Sequence, residues 1–217
     1  MTESTWGLAV LAEERLGFYR EKKTLPFLEA HQINIDVEGL KPVKGLVVAT
    51  HPTIWDSIFW RQALPDAFHC VQAEALKKTG IPVIDAIIAL YYSRMIPVYI
   101  GNSGQRRNTY RMVRERMERV PVIINPGGRT TCSNDIPSVG EIKVGGIIGI
   151  MRLWQEKLIY PARVRVQGQI LENGTVADGS RVKIRYGQPV DLSDINFEQQ
   201  VDALSLAERI EKSWKGI

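Results

Sequence analysis

The alternation of apolar and polar positions divides the chain into short strands and amphipathic helices. Residues 33–37 (Ile33-Asn34-Ile35-Asp36-Val37) repeat with a period of two, the pattern of a half-buried strand, and Glu38-Gly39-Leu40 reads as a turn. Gly45-Leu46-Val47-Val48-Ala49 is continuously apolar, as expected of a central strand covered on both faces, and it runs directly into Thr50-His51-Pro52. Beyond it the pattern predicts a helix from Asp56 to Leu64, a strand from Phe68 to Ala73, a helical stretch around residues 83–93 and a strand from Met95 to Ile100. Tyr110, Val113, Met117 and Val120 recur at helical spacing within a helix expected over 106–120. The rest reads as a strand at 121–124, a polar loop at 130–139 and a glycine-punctuated helix near 145–155. Strands at 158–167 and 181–187 and a closing amphipathic helix over about 197–215 complete it. At the other end, residues 4–23 form an amphipathic pattern around Trp6, Val10, Leu11 and Leu16, which Pro26 is expected to end.

Strand, helix, strand alternation of this kind argues for an α/β fold: a mixed, largely parallel sheet flanked by helices. A chain of 217 residues suits one domain, here 31–217, preceded by an N-terminal helical segment, 1–30. In open sheets of this class ligands gather outside the carboxyl ends of the strands. His51 is expected at such an end.

Composition changes this picture little. Hydrophobic residues at 44% and charged residues at 24% are the balance of a folded protein and exclude a disordered chain. A formal charge of +4 favours anionic partners without choosing among a nucleotide, a phospholipid surface and an acidic carrier protein. Cys70 and Cys132 lack pairing or metal-ligand spacing, which fits a reducing compartment, and no signal peptide or membrane span is legible. The expected location is cytoplasmic, with peripheral contact on the inner membrane face left open. No metal and no cofactor are expected. His69, on an apolar run, reads as a core or edge histidine and His31 as a loop residue.

The chemistry concentrates in Thr50-His51-Pro52-Thr53-Ile54-Trp55-Asp56-Ser57. A strand-to-helix turn can fold the Asp56 carboxylate onto one nitrogen of His51, leaving the other to take a proton from a hydroxyl or amine. The same residues admit a second reading, with Thr53 and Asp56 as a helix capping box that satisfies only backbone donors. Ser57 and Cys132 sit in no nucleophile motif, and Gly145, Gly146 and Gly149 form no dinucleotide fingerprint and read instead as close helix packing. The arginine-rich helix, with Arg106, Arg107, Arg111, Arg114, Arg116 and Arg119, is either a docking surface for an anionic partner or a solvated face offset by Glu115 and Glu118. It accompanies no nucleic-acid-binding motif, so nucleic acid is not expected as a partner.

The order of the segments resembles the lysophosphatidic acid acyltransferase (PlsC-like) family of glycerolipid acyltransferases, over the chain from about residue 33 to its end. The family's His-x4-Asp motif matches His51 and Asp56, and its Lys-x-Glu-Leu segment is similar to Gln72-Ala73-Glu74-Ala75-Leu76-Lys77. Its second block looks like Met95-Ile96-Pro97-Val98-Tyr99-Ile100. Its third, typically Phe-Pro-Glu-Gly-Thr-Arg-Ser, is similar to Asn125-Pro126-Gly127-Gly128-Arg129-Thr130-Thr131. Ile142-Lys143-Val144-Gly145-Gly146, Leu158-Ile159-Tyr160-Pro161-Ala162 and Ile184-Arg185-Tyr186-Gly187-Gln188-Pro189-Val190 resemble its later segments.

The resemblance implies a single-domain PlsC-like fold and transfer of a fatty acyl group from acyl coenzyme A or acyl carrier protein to a hydroxyl or amine, a lysophospholipid among the acceptors. His51 is then the base and Asp56 its partner. Arg129, Lys143, Gly127, Gly128 and Thr130 fall at the acceptor phosphate, Arg106, Arg107 and Arg111 are offered for donor docking, and Trp55, Phe59 and Trp60 for the acyl pocket. Three departures stand out: Gly127 replaces the family glutamate, the arginine ending the second block lacks a counterpart, and Thr50 replaces the asparagine before the histidine. They bear on the acceptor and leave a second function open, a non-catalytic acyl-binding or scaffold protein.

Overall fold

The computed structural model of the chain describes residues 24–72, 95–98, 103–127 and 130–217. The expected helices at 4–23 and 83–93 therefore lie outside the described residues, as do Gly128 and Arg129. Among the described residues eight strands form one sheet: β1 (Asn34–Glu38), β2 (Gly45–Ala49), β3 (Phe68–Gln72), β4 (Met95–Val98), β5 (Pro121–Ile124), β6 (Leu158–Gln167), β7 (Arg181–Tyr186) and β8 (Val190–Asp191). The helices are α1 (Leu25–Ala30), α2 (Asp56–Ala63), α3 (Ser103–Met117), α4 (Gly145–Leu153) and α5 (Ala203–Lys215), with a 3-10 turn at Val139–Glu141. The spatial order β1-β7-β6-β2-β5-β3-β4, with β8 on β6, is parallel from β6 through β4 and becomes antiparallel where β7 and β8 join β6. This is the mixed, largely parallel sheet that the sequence pattern predicts.

β2 sits centrally, between β5 and β6, and its five residues are all buried. Its side chains alternate between two cores. Leu46 and Val48 pack with Val113 and Met117 of α3, Ile147 and Ile150 of α4, and Trp214 of α5. Val47 and Ala49 pack on the opposite side with Leu28 of α1 and Phe59 and Trp60 of α2. A strand with both faces buried has no room for polar side chains, which accounts for its unbroken apolar run. Trp214 also donates its indole N–H to the Val48 carbonyl at 3.0 Å, tying the last helix to this strand.

Several boundaries differ from the sequence expectation, each for a local reason. Pro26 stands in the first turn of α1, where a missing N–H costs nothing, and the helix it is expected to end lies outside the described residues. The closing helix begins at Ala203 rather than near 197, because the Asp202 side chain accepts the backbone N–H groups of Leu204 and Ser205 and caps it there. Phe197, upstream of that cap, is a buried core residue. β8 is two residues long and carries no periodicity to read. In the described part of the N-terminal segment, Leu28 of α1 is 5% exposed and packs within the α2-side core.

Candidate active site

β2 ends at Ala49, and the polar side chains that follow are held by strand-like contacts rather than by helix capping. Thr50, 4% exposed, continues the ladder with β6 through its hydroxyl, which accepts the Val164 N–H at 3.0 Å. Its own backbone N–H donates to the Ala162 carbonyl at 3.2 Å. The threonine found where the resembling family has asparagine thus extends the pairing of the central strand by one residue. From the other side, Asn125 at the end of β5 donates its amide to the carbonyls of Ala49 at 3.2 Å and Thr50 at 3.1 Å. The His51 carbonyl accepts the Thr131 N–H at 2.9 Å, and Ile54 donates its N–H to Gly174 at 3.0 Å. The turn is fixed on three sides.

On this base the structure brings His51 and Asp56 together. Nδ1 of His51 lies 2.8 Å from Oδ2 of Asp56, and the Thr53 hydroxyl donates to Oδ1 at 2.6 Å. Thr53 Oγ1 in turn accepts the Trp55 N–H at 3.1 Å. Both carboxylate oxygens are therefore spent on side chains, and the residue at the α2 N-cap, Trp55, makes no side-chain cap. The Asp56 carboxylate is thus committed to His51 beyond anything a capping box requires, although Thr53 also meets backbone through the Trp55 N–H and its own main chain contributes to the Asp56 carboxyl. A capping box does occur elsewhere, between Ser138 and Glu141 at the 3-10 turn.

The electrostatics separate the two partners. The Asp56 side chain is fully buried, whereas that of His51 is 24% exposed, so the carboxylate lies behind the ring and the ring reaches solvent. Burial pushes the Asp56 carboxyl above its ordinary range, opposed by the hydrogen bonds from His51 and Thr53. An ionised Asp56 accepts the proton on Nδ1, which fixes the tautomer and leaves a lone pair on Nε2. The Thr130 hydroxyl stands 3.2 Å from that nitrogen and, with Nδ1 carrying the ring proton, donates to it.

A second histidine supports the site from inside the sheet. His69 on β3 is 8% exposed, and its Nε2 lies 2.5 Å from Oδ1 of Asn125. Because the Asn125 amide nitrogen donates to Ala49 and Thr50, its oxygen must accept, so His69 carries its proton on Nε2. Its Nδ1 is buried with no partner. Burial holds the ring down to about 4, neutral at ordinary pH. His69 thus holds Asn125, which in turn holds the backbone entering the His51 turn.

The remaining candidate residues fall in different places. Gly127 lies in the turn after β5, and the Lys143 backbone N–H donates to the neighbouring Pro126 carbonyl at 2.7 Å while its ammonium reaches the Gly140 carbonyl at 3.2 Å. Phe59 and Trp60 are 0% and 2% exposed and pack in the α2-side core, and Trp60 also borders a small pocket with Ser57, Arg61, His69 and Met95. Trp55 is half-buried, edge-on to Phe27 at 5.0 Å between ring centroids. Arg106, Arg107 and Arg111 are exposed on α3 and form no ion pair among the described residues, whereas Arg114 pairs with Glu118 at 3.4 Å. Arg106, Arg107, Tyr110, Ile148, Arg152 and Leu153 border a groove of about 400 Å³ between α3 and α4. Cys70 is buried, its thiol pushed up to about 12, and Cys132 is exposed. No three His, Cys, Asp or Glu side chains among the described residues are grouped to hold a metal, and no helix among them is long and apolar enough to cross a membrane.

Fold and site together define an α/β protein with a carboxylate-oriented histidine at the carboxyl end of its central strand. Comparison with known proteins gives that class a closer outline. The structure is similar to the 1-acyl-sn-glycerophosphate (LPA) acyltransferase PlsC from Thermotoga maritima, with a TM-score of 0.58 over 94% of this chain and 78% of that one, at 15% sequence identity. The chain has the PlsC-like fold. No family model matches it, and no curated protein is a significant sequence match.

Of the residues that build the site, Asn125 and Thr53 are the ones sequence reasoning undervalued. Asn125 ends a buried strand in the same way His51 follows one, which is the one signal that pointed to it. Thr53 was legible only as a cap.

Proposed function

We propose that the protein is an acyltransferase in which His51 is the general base and Asp56 its orienting partner. The observation that carries this reading is the solvent-reaching imidazole held at 2.8 Å by a fully buried carboxylate. Nε2 accepts the proton of an acceptor hydroxyl as its oxygen attacks the carbonyl carbon of an acyl thioester. The C–O bond forms, the C–S bond breaks, and the thiolate leaves with the proton then on the imidazolium. Asp56 stabilises the charged ring while that proton is held. Thr130 holds the position on Nε2 that the acceptor hydroxyl takes, and its hydroxyl yields to the substrate.

Acyl coenzyme A or an acyl carrier protein is the donor, with its anionic portion on the exposed Arg106, Arg107 and Arg111 of α3. That helix follows the carboxyl end of β4, the same end of the parallel strands at which His51 follows β2. The acceptor is a hydroxyl or amine compound, a lysophospholipid being the leading case, and Arg129, Lys143, Gly127 and Gly128 are assigned to its phosphate. The test is release of free thiol from acyl thioesters presented with a panel of acceptors, with products identified by mass spectrometry. Turnover by the native protein and none by His51→Ala of unchanged fold is the expected result. Thioester binding without turnover under every acceptor would replace this reading with that of an acyl-binding protein.

A further inference from the structure

β6 and β7 pair antiparallel, with Arg163 opposite Arg185 and Arg165 opposite Lys183. Along β6 these positions alternate with Ala162, Val164 and Val166, which belong to the α2-side core, so the four cations share the other face of the sheet. Like charges set directly across a ladder repel and cost stability. Little in the fold offsets them. Glu38 on β1 is shared between Lys183 and Arg185, both at 2.7 Å, Arg185 also donates to the carbonyl of Ile217 at the rim at 3.5 Å, and Asp36 is taken by Arg181. Arg165 makes no ion pair or hydrogen bond among the described residues. Arg163 has only a 3.4 Å contact to the Asn134 carbonyl, and its Nε is buried without a partner. Asp135 beside it contributes a favourable charge but no ion pair, while Arg165 and Arg185 act against the Arg163 charge.

The surface between them is a recess and not a flat sheet. The side chain of Asn134 pairs with both backbone groups of Val166, at 2.7 and 2.8 Å, and so raises a rim along the β6 edge. The enclosed space is about 190 Å³. Neighbouring strands stand about 4.8 Å apart, so one tetrahedral anion between the strands is within reach of guanidinium and ammonium groups from both. A carboxylate, with two oxygens, cannot satisfy four cations.

We propose that this recess is a phosphate-binding site, with Arg163, Arg165, Lys183 and Arg185 as its donors, taking inorganic phosphate or the phosphate of a monoester. It is independent of acyl transfer: its residues lie on β6 and β7, and none belongs to the His51 site. Two signatures distinguish it from a solvated charged face. Phosphate raises the melting temperature of the native protein, because it relieves the repulsion across the ladder. In phosphate-free buffer Arg165→Gln melts above the native protein, whereas a merely structural arginine would lower it.

Calorimetric titration of the full chain at low ionic strength, with inorganic phosphate and with glycerol 3-phosphate, should show binding. Arg165→Gln and Arg163→Gln should each weaken it about tenfold, the loss of one charge-assisted contact. Flotation with phosphatidylcholine vesicles, with and without phosphatidic acid, identifies the source: recruitment by phosphatidic acid alone, lost in Arg165→Gln, assigns the site to a lipid headgroup. Binding of neither phosphate nor vesicles, or binding that Arg165→Gln leaves unchanged, overturns the proposal.

Discussion

The Asp56 carboxylate accepts from two side chains at once, Nδ1 of His51 at 2.8 Å and the Thr53 hydroxyl at 2.6 Å, at the first position of the helix it begins. A carboxylate removed from solvent in this way orients an imidazole and selects its tautomer. Asp56→Asn keeps the shape but presents an amide, whose N–H₂ opposite Nδ1 favours the tautomer with its lone pair there and its proton on Nε2. Acyl transfer should fall about 10²–10⁴-fold with the fold retained, since a misoriented or mistautomerised base loses most of its general-base contribution. Steady-state assays beside circular dichroism check this. Turnover within twofold of the native protein would remove Asp56 from the mechanism.

Thr53 bears on the same pair through stability. Thr53→Val deletes the side-chain donor to Oδ1 of a fully buried carboxylate, a change that costs about 1–3 kcal/mol. Chemical denaturation should register this loss. Activity should fall as well, because the carboxyl, already pushed up by burial, then loses one of the bonds that hold it ionised.

The hydroxyl of Thr130, 3.2 Å from Nε2, covers the nitrogen that takes the proton. Removing it in Thr130→Ala uncovers the lone pair, and carbethoxylation of His51 by diethyl pyrocarbonate should proceed several-fold faster. Peptide mapping by mass spectrometry measures the rate at His51 alone. An unchanged rate would mean that Thr130 does not mask the base.

How much of this was legible in the sequence depends on how local each signal is. Gly45–Ala49 and Pro121–Ile124 are legible to the residue, because a buried strand leaves an unbroken apolar run and ends where polar residues resume, whereas Leu158–Gln167 is legible by alternation, Ala162, Val164 and Val166 being buried between Arg163, Arg165 and Gln167. The proximity of His51 and Asp56 was readable from one strand-to-helix turn. The choice between a base partner and a cap was not, since both use the same residues and differ only in which atom each side chain meets. Asn125 braces the Ala49 and Thr50 carbonyls because β5 lies beside β2, an adjacency no stretch of sequence states. Arg163 and Arg185 are likewise twenty-two positions apart and meet through antiparallel register alone.

His69 adds a pH dependence with a definite sign. Its folded-state value lies near 4 against an ordinary 6.5, so between those values the unfolded chain binds the proton and the folded one does not. Stability from this neutral ring is complete above about 6.5 and is lost as the pH falls towards 4. A difference of that size between the folded and unfolded chain corresponds to about 3 kcal/mol. Urea unfolding at pH 7 and pH 4.5 should show most of this difference in the native protein, and His69→Gln should remove that part of the slope. Parallel pH curves for the two proteins would contradict the assignment of a buried neutral imidazole.

Gly149 and Gly145 lie one turn apart on α4 and answer differently to the same substitution. A Cβ at Gly149 would overlap the ring of Tyr110 on α3, whereas one at Gly145 meets nothing within 4 Å. The close approach of α3 to α4 therefore rests on Gly149, Gly146 packs closely on Ile124 of β5, and of the three glycines read as packing positions only Gly145 faces open space. Gly149→Ala must displace the Tyr110 ring or separate the helices, at about 1–3 kcal/mol. Gly145→Ala adds a side chain into open space and restricts only the unfolded chain, so it should stabilise by about 0.4–1 kcal/mol. Since Tyr110, Gly145 and Gly149 border the groove with Arg106 and Arg107, Gly149→Ala should also weaken the thioester donor, raising its KM, while Gly145→Ala leaves KM unchanged. Thermal denaturation and donor titrations of the two variants give opposite signs if the helices are held as described. A stabilised Gly149→Ala would show that α3 and α4 are not in contact there.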